Sequence, residues 1–168
     1  MVVLIVDGYN IIGAWPELQQ LKEKDIGQAR DRLIELLAEY QAFTGDRVIV
    51  VFDAYYVRGI ESKEEQSKVE VIYTKEKETA DECIEKLVKT VKNIQTQVYV
   101  ATSDYAEQRT IFGQGALRKS ARELQIEMDD MNQEIHINLD VYQKEKPAVK
   151  IPINQDLLKR FEEMRRGK

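Results

Sequence analysis

Cysteine and histidine are almost missing from this chain: there is one of each, Cys83 and His136. A lone cysteine excludes an internal disulfide and any multi-cysteine zinc site, and a lone histidine excludes chemistry that needs a histidine pair. No apolar run approaches the roughly 20 residues that span a membrane. The N-terminus has no basic lead and no small-residue cleavage site, and Asp7 interrupts its apolar run too early for a signal peptide. Both glycine-rich phosphate motifs are absent: there is no G-x-x-x-x-G-K-S/T, and no G-x-G-x-x-G follows a strand. Internal repeats and low-complexity linkers are absent as well. These absences leave a soluble cytoplasmic protein with no membrane partner and no nucleotide cofactor.

What is present fits one globular domain over residues 1–168. The chain is 43% hydrophobic and 33% charged, enough to bury a sizeable core and too short for two comfortable ones. Its net charge is −5 and its pI about 5.1. That balance argues against indiscriminate coating of nucleic acid but leaves room for a local basic patch.

The chain is organised around its first ten residues. Val2 to Val6 is an uninterrupted, β-branched apolar run closed by Asp7-Gly8, which predicts a strand buried on both faces. Asp7 then stands at the carboxyl end of a central strand, where open α/β sheets place their ligand crevice. Gly8 lets the backbone turn sharply or approach a ligand closely.

Ile11 to Gly27 reads as a loop with a short helix, with Trp15 as a packing residue. Gln28 to Phe43 carries Ala29, Leu33, Leu36, Leu37, Tyr40 and Phe43 on one helical face, and Gly45 suits its C-terminal cap. Val48 to Phe52 is a second buried strand, closed by Asp53. Ala54 to Lys68 is polar and reads as a solvated loop. Val69 to Tyr73 is a third strand. A helix starting near Thr79 has the Ser/Thr-x-x-Glu spacing of a capping box with Glu82, so Asp81 falls in its first turn and Cys83 in its apolar stripe.

Gln97 to Ala101 is a fourth strand, leading to Thr102-Ser103-Asp104, where Asp104 and Glu107 could cap the next helix. Gly113 and Gly115 bracket a turn. Ser120 and Glu123 repeat the capping-box spacing before another helix. Residues 135–142 fit a helical stripe and a period-two strand alike; helix is the preferred reading. Pro147 and Pro152 break regular structure before an amphipathic helix at about 155–166. Four strands alternating with helices predict an α/β sandwich with a mostly parallel central sheet and right-handed crossovers.

Three strands thus end in an aspartate, Asp7, Asp53 and Asp104, and Asp81 opens a helix. In a parallel sheet the carboxyl ends share one edge, so the four acids converge. Each alone reads equally well as a cap or an ordinary loop acid. Together they need a counter-charge, because two carboxylates about 5 Å apart repel by roughly 3 kcal/mol at an effective dielectric of about 20. All-oxygen ligation points to Mg²⁺ or Mn²⁺ rather than Zn²⁺. Such an ion activates water and neutralises charge on a phosphodiester. Arg58, Lys63 and Lys68 after Asp53, and Arg118, Lys119 and Arg122 after Gly115, are candidates for gripping backbone phosphates. Tyr9, Tyr55, Tyr56 and Tyr105 flank three of the acids and offer flat faces for bases. Asp7-Gly8-Tyr9-Asn10 lacks the second aspartate of haloacid-dehalogenase-type phosphatases.

The ordered set Asp7-Gly8-Tyr9-Asn10, Phe52-Asp53, Glu78-Thr79-Ala80-Asp81, Thr102-Ser103-Asp104 and Ser120-Ala121-Arg122-Glu123-Leu124 resembles the YacP-like branch of the NYN nucleases, relatives of the PIN-domain ribonucleases. The resemblance covers nearly the whole chain. It implies a PIN-like, Rossmannoid sheet and metal-dependent endonucleolytic cleavage of RNA. It implies that Asp7, Asp81 and Asp104 hold metal, that Asn10 is their companion in catalysis, and that Asp53 is a further acidic position. The branch includes ribosome-associated mRNA endoribonucleases of Gram-positive bacteria, so mRNA as substrate and the ribosome as partner are also implied. The alternative is a catalytically idle RNA- or ribosome-binding adaptor that keeps the fold.

Overall fold

The apolar runs become the interior of a six-stranded sheet. The computed structural model describes residues 1–54, 63–66, 68–103, 113, 115–145 and 163–165, with backbone only at 63–66 and 142–145. The strands are β1 (Val2–Asp7), β2 (Arg47–Phe52), β3 (Lys63–Gln66), β4 (Val69–Tyr73), β5 (Gln97–Ala101) and β6 (Leu117–Lys119), in the order β3-β4-β2-β1-β5-β6. Every neighbouring pair is parallel except β3 with β4, which is antiparallel. β1 lies at the centre, with Asp7 beside Val51 of β2 and Val6 beside Ala101 of β5.

Burial explains why β1 and β2 are legible as apolar runs. Central parallel strands are covered on both faces, so they carry no polar alternation. Leu4, Ile5, Val6, Val48, Val50, Val51, Phe52 and Val100 are all buried. Two edge strands depart from the sequence reading. β3 falls inside the stretch expected to be a loop, and β6 follows the expected turn at Gly115, whose φ of 83° does suit glycine.

The segment expected to be a loop with one short helix is instead two helices, α1 (Gly8–Ala14) and α2 (Pro16–Lys24). Trp15 separates them in an extended conformation, and Pro16 opens α2 where its missing N–H is not needed. Trp15 is buried, and its indole N–H donates to the Ala121 carbonyl at 2.8 Å. Its packing role is therefore plain.

Next comes α3 (Ile26–Thr44), capped by the Asp25 carboxylate, which accepts from the Gly27 N–H at 2.9 Å. It buries Ala29, Leu33, Ile34, Leu37 and Tyr40, whereas Phe43, expected on that face, is exposed. Gly45 ends it with φ 76°, the left-handed cap that glycine adopts without strain. In α4 (Ala80–Val91), Thr79 Oγ1 accepts from the Glu82 N–H at 3.2 Å. Cys83 packs with Ile5, Val51 and Ile84, and burial pushes its thiol up to about 11. The thiolate needed for nucleophilic chemistry is thus disfavoured near neutrality, and Cys83 is a core residue.

Helix α5 (Ala121–Glu145) settles residues 135–142 as helical. Its first turn is closed by Ser120 Oγ, which accepts from the Glu123 N–H at 3.0 Å. The chain divides into two compact units at Asp129/Asp130, inside α5. The first holds the whole sheet and α1–α4. In the second, Ile135, Ile137, Leu139 and Val141 are exposed and residues 163–165 are helical. No helix among the described residues is long and apolar enough to cross a membrane.

Candidate functional site

The strand ends bring the acids together at the carboxyl edge of the sheet. An open cleft of about 400 Å³ there is lined by Asp7, Tyr9, Asn10, Lys22, Ile26, Asp53, Thr79, Ala80 and Asp81. Three of the four expected acids and the expected asparagine therefore share one cleft. Asp104 and Arg58 lie outside the described residues, as do Tyr55, Tyr56 and Tyr105.

Local structure holds each side chain in place. Asp7 is the last residue of β1 and only 8% exposed. Burying a carboxylate is costly unless a cation or donors compensate it. Asp53 follows β2 at a point pinned on both sides. The Thr74 N–H donates to the Phe52 carbonyl at 3.0 Å, and the Ala54 N–H donates to Thr74 Oγ1 at 2.8 Å. Thr74 is itself buried. Asp81 is exposed in the first turn of α4, fixed by the Thr79 cap. The unpaired N–H groups of that turn favour negative charge near it.

Asn10 also has a structural partner. Its Oδ1 accepts from the Ser103 N–H at 2.7 Å and also from the Ser103 hydroxyl. This ties α1 to the exit of β5, directly before Asp104. The side-chain NH₂ is what Asn10 has left to offer a ligand.

Gly8 turns out differently. The close approach it permits is that of Phe52, whose ring would lie 2.3 Å from a Cβ at this position. The space belongs to the protein's own core rather than to a substrate. Phe52 in turn packs against Tyr9, with ring centres 5.1 Å apart, and against Tyr73 at 5.7 Å. Arg30 donates to the Tyr9 hydroxyl at 3.1 Å. Burial pushes the Tyr9 phenol above its usual range despite that guanidinium, so it stays neutral.

Among the described side chains, the expected basic groups Lys68, Arg118, Lys119 and Arg122 do not line this cleft. Lys119 is largely buried, ion-paired to Glu127 at 2.8 Å and 4.8 Å from the centre of the Tyr99 ring. Its ammonium is engaged within the fold. Arg118 sits in β6 beside Val100, and Arg122 is exposed in the first turn of α5. Lys68 precedes β4 and therefore lies at the opposite edge of the sheet, where it lines a second cleft with Met1 and Arg47. Among the described residues the cation that lines the acidic cleft is Lys22, which was not singled out from sequence because its helix was read as loop.

The donor set is all oxygen, the choice of hard divalent cations such as Mg²⁺ or Mn²⁺. Asp7, Asp53 and Asp81 fit such an ion in kind. Among the described residues, no three acidic, histidine or cysteine side chains stand close enough together to enclose one by themselves. Waters, substrate oxygens and residues beyond those described are the usual source of the remaining ligands, since Mg²⁺ keeps several of its waters.

The chain matches the "YacP-like NYN domain" family over residues 4–166. "Uncharacterized protein YacP" of Bacillus subtilis (strain 168) is 57% identical over 167 residues, which cover 99% of this chain and 98% of that protein. The crystal structure of Rae1 (YacP) from Bacillus subtilis is similar, with a TM-score of 0.77, 57% identity, and coverage of 99% of this chain and 96% of that one. A mutant of the same protein gives a TM-score of 0.75 at 52% identity, with the same coverage.

Proposed function

The chain belongs to the YacP-like NYN domain family, and from that premise we propose that it is a divalent-metal-dependent endoribonuclease acting on mRNA in association with the ribosome. NYN domains are PIN-like nucleases. The observation that carries the reading is the meeting of Asp7, Asn10, Asp53 and Asp81 in one open cleft. Three acids from separate parts of the chain make a poor binding surface for RNA unless a cation mediates. A cation does mediate in this kind of chemistry.

Asp7, Asp53 and Asp81 are the described side chains that would hold Mg²⁺ or Mn²⁺, with Asp104 as the fourth acid of the motif. When bound, the ion supplies a water of lowered pKa and neutralises charge on the phosphodiester. The protein's part is placement. β1 fixes Asp7 where water is largely excluded, which strengthens its interaction with any cation. The Thr79 cap and the Thr74 bonds hold Asp81 and Asp53. Asn10 holds the β5 exit through Ser103 and keeps its NH₂ for water or a phosphate oxygen. The N-terminus of α4 adds positive partial charge close to the reacting phosphate.

Ribosome association rests on the family resemblance, and the net charge of −5 fits it. An acidic protein gains little selectivity among free RNAs from its net charge, so a partner that presents the mRNA would supply it. A cytoplasmic location follows from that partner.

A cell-free translation reaction tests the whole reading. Purified protein added to a translated reporter mRNA is expected to yield discrete cleavage products, and the same reporter lacking its start codon is expected to stay intact. Equal cutting of both removes the ribosome from the account. Intact reporter in every condition, with the protein co-sedimenting with ribosomes, leaves only the adaptor.

A further inference from the structure

The acidic cleft has a cationic wall that the family motifs do not contain. It is built by the corner between α2 and α3. To deliver the chain to the start of β2, α3 must run opposite to the strands, so α2 ends and α3 begins at the carboxyl edge. Ile26, the first residue of α3, and Lys22, in the last turns of α2, both line the cleft. Lys22 follows the buried Leu18 by four residues, which places both on one helix face. That spacing brings an exposed lysine toward the site instead of away from it.

Two further facts single out this corner. Lys22 has no ion-pair or hydrogen-bond partner among the described residues, although three carboxylates share its cleft. Arg30, one helical turn into α3, is partly buried and makes no ion pair among the described residues. It spends one donor on the Tyr9 hydroxyl at 3.1 Å. A guanidinium has five N–H donors in a fixed fork, so most of its capacity remains. Tyr9 lines the cleft between Asp7 and Asn10 in sequence, and Arg30 holds its hydroxyl.

We propose that this corner is the phosphate grip of the site: Lys22 binds a backbone phosphate of the RNA strand directly, and Arg30 is a positioning residue that holds Tyr9 at the cleft. The inference rests on the nuclease reading for its substrate class. It adds to the candidate grips a cation, Lys22, that shares the cleft with the acids. A phosphate on Lys22 and a neighbouring phosphodiester at the acids would lie along one strand, which gives the cleft a direction of threading. A merely solvated surface lysine would contribute no such contact.

The test separates binding from cutting. A fluorescein-labelled single-stranded RNA 12-mer is titrated by anisotropy against the Asp7→Asn protein at several salt concentrations. Lys22→Ala in that background is expected to weaken binding about tenfold and to lower the slope of log K against log salt by about 0.7–1, the signature of one lost phosphate contact. Lys22→Arg restores most of the affinity, and Lys24→Ala, which removes an exposed lysine of the same helix outside the cleft, changes nothing. Arg30→Lys is expected to weaken binding without the same loss of salt slope, because its role runs through Tyr9. An unchanged slope and affinity for Lys22→Ala overturns the proposal, and so does the absence of saturable binding by the parent protein. Failure of the nuclease reading looks different: RNA binding would depend on Lys22 while the wild-type protein cut nothing in the cell-free translation reaction.

Discussion

Asp7→Asn combined with Asp81→Asn is expected to abolish RNA cleavage while the protein stays folded. The two changes are nearly isosteric, so packing around β1 and the first turn of α4 is preserved. The stability terms are small and partly cancel. Asp81 lies in the first turn of a helix, where losing a negative charge costs about 0.3–1 kcal/mol. Removing charge from the cleft relieves repulsion among its acids, which works in the opposite direction. The catalytic term is much larger. Interactions that stabilise charge developing in a transition state contribute several kcal/mol, and each 1.36 kcal/mol is tenfold in rate. A loss of at least about 10²–10³-fold follows. Cleavage assays on the double variant, beside a thermal melt shifted by only a few degrees, check both halves. A folded double variant that cuts at the wild-type rate would refute the assignment of these acids.

Gly8→Ala is expected to damage both stability and activity through packing alone. The new Cβ would lie 2.3 Å from one ring carbon of Phe52 and 2.5 Å from another. The ring cannot swing clear easily, because Phe52 is fully buried and flanked by Tyr9 and Tyr73. Overpacking of this kind costs about 1–3 kcal/mol, which lowers the melting temperature by about 3–10 °C in a chain of this size. Asp7 and Tyr9 flank the site of the clash, so any backbone shift that relieves it moves the cleft. Phe52→Leu should rescue Gly8→Ala, making the double variant more stable than the sum of the single changes predicts. Strict additivity, or a Gly8→Ala protein that melts like the wild type, would show that the ring does not fill this space.

How much of this was legible in the sequence depends on how many neighbours an element has. β1 and β2 were readable within a residue or so because strands covered on both faces must be apolar throughout, and β4 and β5 because each keeps an apolar buried face, Val69 and Val71 in one, Val98 and Val100 in the other. β3 was not, since an edge strand reading Lys-Glu-Glu-Gln pairs on one side only and carries no hydrophobic pattern. β6 is three residues long, too short for any period. α1 and α2 were blurred into a loop because Gly13, Trp15 and Pro16 punctuate two helices of seven and nine residues. The period-two alternation of Ile135, Ile137, Leu139 and Val141 suggested a strand as readily as a helix. All four are exposed in α5, so that alternation marks no buried sheet face.

The site divides along the same line. Its acids were legible because carboxylates closing apolar runs must converge once the sheet is parallel. The uses of Asn10 and Gly8 were not, since they depend on Ser103 and Phe52, far away in sequence. Lys22 was missed for a simpler reason: only the presence of α2 turns it toward the cleft. Tertiary partners were equally invisible, as Glu127 is for Lys119.

The central claim is that the acids at the carboxyl edge hold a divalent cation. Diffraction from crystals soaked in Mn²⁺, recorded to use its anomalous signal, tests this most directly. The account predicts a peak in the cleft with oxygens of Asp7 and Asp81 at coordination distance, about 2.1 Å. A cleft without a peak at saturating Mn²⁺, or a peak that touches neither aspartate, would contradict it.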